Sequence, residues 1–145
     1  MQGSQEGMTL VEVLVALVIL GVGLLGAAAF QLNALKYTDS ARMTSQASFI
    51  AYDMLDRIRA NAAADYTIAP PASGNPDVAR DQDLFDFNAN IVSSLGATAT
   101  GRVTVNQQLY TITINWDDSR AANTADSRRS FVLTSRTAVD PGATP

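Results

Sequence analysis

The 145-residue chain predicts an α+β fold: one long N-terminal helix, apolar on every side in its first half, whose second half packs on a small antiparallel β-sheet. Three observations carry this. From Val13 to Leu35 there is no charged residue, and only Gln31 and Asn33 are strongly polar; roughly 20 apolar residues suffice to cross a bilayer core as a helix. Ala47, Ile50, Ala51, Met54, Leu55 and Ile58 then recur at the i, i+3, i+4, i+7, i+8, i+11 spacing of one helix face. Finally, Tyr110, Ile112, Ile114 and Trp116 alternate with polar residues, as on a half-buried strand.

The elements follow in order. Residues 1–7 are a polar leader, residues 8–35 an apolar helix, residues 36–66 its amphipathic continuation, and residues 67–145 a small C-terminal globular α/β region. No proline interrupts residues 8–69, so a single helix is expected from Met8 to about Ala64. Gly21, Gly23 and Gly26 lie within it but form no strict GxxxG pattern; small residues allow close helix contact in membranes. Asp53 and Arg57 sit four apart with the acid N-terminal, the favoured order for an ion pair.

Pro70-Pro71 and the Ala-Ser-Gly-Asn-Pro that follows mark a loop. Leu84, Phe87, Ile91 and Leu95 predict a short helix over Asp83–Leu95, with Asp81 or Asp83 as its cap. Strands are expected at Arg102–Val105, Tyr110–Trp116 and Phe131–Thr137, with a hairpin turn at Gln107-Gln108. Asp117–Arg129 reads as a loop and the tail after Thr137 as a frayed end. The inward faces would be Ile50, Met54 and Ile58 against Ile112, Ile114 and Trp116. Trp116 and Tyr110 read as core packing rather than a stacking site. No internal repeat occurs.

Composition removes several function classes. With neither His nor Cys there is no nucleophile–histidine pair, no disulfide and no thiolate metal site. The formal charge is −4 and the basic residues are dispersed, so no nucleic-acid partner is expected. Arg128-Arg129 alone is too small for one. Asp117-Asp118, like Asp81 and Asp83, invites a metal or acid–base reading. Adjacent residues at a strand end point to opposite sides, and no further oxygen ligands have calcium-loop spacing, so strand termination and solvation are expected instead. No metal, cofactor or catalytic residue is expected.

The N-terminus is not an ordinary secretory signal, which places a basic front before a short apolar stretch and a small-residue cleavage site after it. Here Gly7 precedes the apolar run, and the leader has no Lys or Arg, so the usual positive-inside bias is missing. Glu12 stands five residues after Gly7, at the mouth of the run. A charge there is costly and by default needs a partner.

Gly7-Met8-Thr9-Leu10-Val11-Glu12-Val13-Leu14-Val15-Ala16-Leu17 resembles the class III signal of the type IV pilin-like family, which includes type II secretion pseudopilins. The resemblance implies a prepilin peptidase that cuts between Gly7 and Met8 and N-methylates Met8, where the family usually has Phe. Glu12 becomes the fifth mature residue, and the implied role of its carboxylate is to attract the N-terminal amine of a neighbouring subunit during assembly. At about 4 Å such an attraction grows from roughly 1 kcal/mol in water to several as water is excluded. The bland alternative leaves Glu12 at headgroup level with no role.

Gly23-Leu24-Leu25-Gly26, Gln31 and Ala51-Tyr52-Asp53-Met54-Leu55-Asp56-Arg57-Ile58-Arg59-Ala60-Asn61 narrow the resemblance to minor pilins of the pilus-modification group. This implies a pilin-like fold and a subunit that initiates or modifies pilus assembly, in support of adhesion, twitching or DNA uptake. The implied partners are the prepilin peptidase, other minor pilins, the major pilin and the inner-membrane platform. The implied location is the inner membrane, by a single helix with the C-terminal region periplasmic, and then the pilus surface. The helix glycines would permit local melting on leaving lipid, or serve ordinary packing. The alternatives are a minor pseudopilin of type II secretion and, from another class, a membrane-anchored enzyme.

Overall fold

The computed structural model describes residues 10–119 and 127–136, so Gly7, Met8, the leader, the middle of the 117–129 loop and the tail from Thr137 lie outside the described residues. The elements are α1 (Leu10–Ala60), α2 (Ala79–Leu95), β1 (Thr100–Asn106), β2 (Leu109–Asp117) and β3 (Arg128–Arg136). The fold is α+β and pilin-like: one long N-terminal helix and a small antiparallel sheet in the order β1-β2-β3. The chain divides into two compact units, Met1–Thr38 and Asp39–Pro145.

The second unit holds the core. Ala47, Ala51, Met54, Leu55 and Ile58 of α1 cluster with Leu84, Phe87, Ile91 and Leu95 of α2 and with Val103, Ile112, Ile114 and Trp116 of the sheet. Ile50, expected inside, is half-buried against this cluster, as are Tyr110, Phe131 and Leu133. The alternation on β2 sets the register: Val103, Ile112 and Leu133 form one row facing the core, and Thr104, Thr111 and Thr134 the next row facing solvent. Trp116 Nε1 is buried with no hydrogen-bond partner among the described residues, so the ring is held by packing.

Two approaches are close. At Gly101 an added Cβ would lie 2.5 Å from Phe87 Cε1 and also collide with Ile91 Cδ1, so the absence of a side chain lets α2 settle on β1. Gln107 and Gln108 join β1 to β2 with φ of 47° and 66°, the two left-handed residues of a tight hairpin turn. Asn-Gly is the usual pair there. The expected hairpin is present with less suitable residues.

The structure changes some boundaries. α1 ends at Ala60, where Asn61 N–H still donates to Arg57 O and Ala64 N–H closes a turn on Asn61 O. α2 begins at Ala79 rather than Asp83. Its N-cap is Val78, which makes no side-chain cap bond, so neither Asp81 nor Asp83 caps it. Both lie inside the helix; Asp81, in the first turn, favours the positive end of the helix dipole, and Asp83 is held by tertiary partners.

Candidate assembly site

In the first unit, Glu12 lies in the first turn of α1 and is exposed. Around and beyond it the helix displays apolar side chains in all directions: Leu25 is 73% and Phe30 76% exposed, and the most apolar 18-residue window has mean hydropathy 2.7 with none of it buried. A core helix of a soluble protein would be covered. So large an uncovered apolar surface requires lipid or other helices.

Residues 3–28 match the family model of the prokaryotic N-terminal methylation motif. The chain opens with a prepilin-type signal. The match spans Gly7, Met8 and Glu12, and it supports a subunit of the type IV pilin and pseudopilin kind, processed by prepilin peptidase and assembled with other pilins. The signal and the apolar helix together are consistent with membrane anchoring. Comparison with curated proteins and with solved structures found no match in either.

Behind the signal, the second unit is fastened by two polar clusters that the sequence pattern does not reveal. Arg57 is the hub of the first. Its Nε donates to Asp53 Oδ2 at 2.9 Å and its Nη1 to Asp83 Oδ1 at 2.8 Å, with Asp86 Oδ2 at 3.4 Å. Burial works against the charged guanidinium, but the bonds to Asp83 and Asp53 outweigh it and hold the Arg57 pKa above the usual arginine value. The expected Asp53–Arg57 pair is therefore one arm of a wider ion-pair group joining α1 to α2. Asp83 also accepts a 2.8 Å hydrogen bond from the Tyr66 hydroxyl.

Tyr66 is 1% exposed although it sits in a connecting loop. Burial, with the neighbouring Asp83 carboxylate adding to it and Asn61 opposing, pushes its pKa up from 10.0 to about 12. Because the folded state favours the neutral phenol, this contribution to stability is full below pH 10 and is lost as pH rises from 10 to 12. Tyr66→Phe is expected to cost about 1.5 kcal/mol at pH 7, the low end for a bond to a charged group because Asp83 keeps Arg57. The variant should also lose part of the native chain's alkaline destabilisation. Urea titrations at pH 7, 10 and 11.5 would show parallel curves if Tyr66 did not titrate in the fold.

The second cluster corrects the expectation for Asp117-Asp118. Asp117 is exposed and terminates β2: its carboxylate accepts from Ser127 Oγ at 2.6 Å and from Ser119 N–H at 2.9 Å, and these bonds lower its pKa. Asp118 is not solvated. It is 2% exposed, accepts from Ser40 Oγ at 2.6 Å and faces Arg129 Nε at 3.3 Å. A buried carboxylate requires such partners, and here they tie α1 and β3 to the end of β2. Among the described residues, no group of three acidic side chains is placed to hold a metal ion.

Proposed function

We propose that the chain is a minor pilin of the type IV pilus, of the PilV kind. In this reading it is a structural subunit, not a catalyst, and is itself the substrate of the prepilin peptidase. The observation that carries the reading is the methylation motif joined to an apolar helix that nothing covers, with Glu12 at its head. Before assembly the helix holds the protein in the inner membrane with residues 39–145 in the periplasm. In the filament it lies among the helices of the major and other minor pilins, after extraction by the inner-membrane platform. Glu12 then faces the methylated N-terminal amine of a neighbour. The same signal serves pseudopilins of type II secretion; Gly23–Gly26 and the Ala51–Asn61 segment favour the pilus.

Glu12→Ala tests the assembly role. The variant is expected to be processed and to stay in the membrane fraction, while its share in filaments sheared from the cell surface falls by about tenfold or more, as the loss of a partly desolvated ion pair implies. Incorporation at the native level would remove Glu12 from the assembly mechanism.

A further inference from the structure

The charges of the second unit are unevenly matched. Among the described residues, Arg42 pairs with Asp39, Arg57 with Asp53, Asp83 and Asp86, Arg59 with Asp56, Arg80 with Asp81, and Arg129 with Asp118. Arg102, Arg128 and Arg136 make no ion pair with any described residue, and all three are exposed. The sheet register puts them on one face. Arg102 shares a row with Thr113 and Val132, Arg128 one with Asp117, and Arg136 one with Leu109 and Asn106. This is the face opposite Val103, Ile112, Ile114 and Leu133.

The rest of that face is hydroxyl and amide: Thr104, Thr111 and Thr134 in one row, Thr100, Asn115 and Ser130 in another. Asp117 is the only acidic residue in the three strands. It lies within electrostatic reach of Arg128, but its carboxylate is engaged by Ser127 and Ser119. Arg128 and Arg136 are eight residues apart on β3, about 27 Å at strand rise, and Arg102 stands midway, two strands away, about 10 Å across. Two open clefts border this face. One, of about 480 Å³, includes Arg102; the other, of about 360 Å³, includes Arg128; both contain Thr100 and Asn115.

We propose that the solvent face of the sheet binds an acidic polysaccharide. An elongated polymer with carboxylates at intervals and hydroxyls between them matches separated guanidiniums joined by a Thr/Asn/Ser surface. Each arginine offers a planar fork to a carboxylate, and a repeating ligand engages several weak points at once. The same observations disfavour nucleic acid. Three cations are few for a phosphate backbone, and the face has no aromatic ring on which a base could stack. With only Val132 and Leu109 as exposed apolar groups, the face is also unlike a peptide-docking groove. As a site of adhesion the surface rests on the pilin reading; as a binding site it does not.

The test uses the full chain in non-ionic detergent and fluorescently labelled polygalacturonate at low ionic strength, read by anisotropy. Dextran and single-stranded DNA serve as neutral and phosphate competitors. Polygalacturonate is expected to bind and dextran not to compete. The triple variant R102Q/R128Q/R136Q should weaken binding by about tenfold or more, with a native circular-dichroism spectrum. R42Q/R80Q, which removes two paired arginines elsewhere, should leave affinity within about twofold. Absence of binding, equal loss in the two variants, or stronger competition by DNA than by unlabelled polygalacturonate would overturn the proposal. None of these results depends on whether Gly7 is processed.

Discussion

Gly101→Val is expected to destabilise the globular unit by about 3 kcal/mol, at or above the upper range for overpacked cores. Valine is a good strand residue, so local preference argues for stabilisation and only the tertiary contact argues against it. That contact is severe: the new Cβ would meet Phe87 Cε1 at 2.5 Å and Phe87 Cζ at 2.8 Å, beside Ile91 Cδ1. Phe87 and Ile91 are 4% and 0% exposed and have little room to move. At roughly 4 °C or more per kcal/mol for a domain of this size, the melting temperature should fall by about 10 °C or more. Fluorescence of Trp116, buried in the same core, follows this unit without interference from the apolar helix. Phe87→Leu should partly rescue the variant by making space. A melting point within about 2 °C of native would show that α2 does not rest on Gly101.

Arg57→Ala should have the second largest effect, about 2–3 kcal/mol. Removing one partner of a fully buried pair costs about 3–5 kcal/mol; Arg57 is 31% exposed, and solvent screening reduces the figure. The cost arises from what remains. Asp53, Asp83 and Asp86 would face one another with no cation, and Asp83 is only 17% exposed. Asp83→Asn in the Arg57→Ala background should recover part of the loss, where the two changes together would otherwise add. Additive effects of the two changes, with no coupling to Asp83, would mean that Arg57 acts only through the packing of its stem.

These two residues show where sequence reading ends. Periodicity made Ala47, Ala51, Met54 and Ile58 legible, because a helix face is written in local spacing, and alternation did the same for Ile112, Ile114 and Trp116. The Asp53 arm of the Arg57 cluster was legible at four residues' separation. Its Asp83 arm, 26 residues away, was not, and it drew Asp83 from the capping role that local rules assign. Asp118 looked solvated because its partner Ser40 lies 78 residues earlier. Nothing local distinguishes Gly101 from any strand glycine, or Tyr66 from any loop tyrosine. The shared face of Arg102, Arg128 and Arg136 emerges only once strand register is known. The N-terminal signal is the opposite case. Gly7, Met8 and Glu12 are read by order and spacing alone, so the candidate assembly site was visible before any fold, although Gly7 and Met8 lie outside the described residues.

We propose above that the chain is a processed, pilin-type subunit. The most direct test is the intact mass and N-terminal sequence of the protein co-expressed with its prepilin peptidase, active or catalytically dead. A mature chain that begins at N-methylated Met8 is expected with the active enzyme, and the full leader with the dead one. An identical, uncleaved chain in both cells would contradict the proposal.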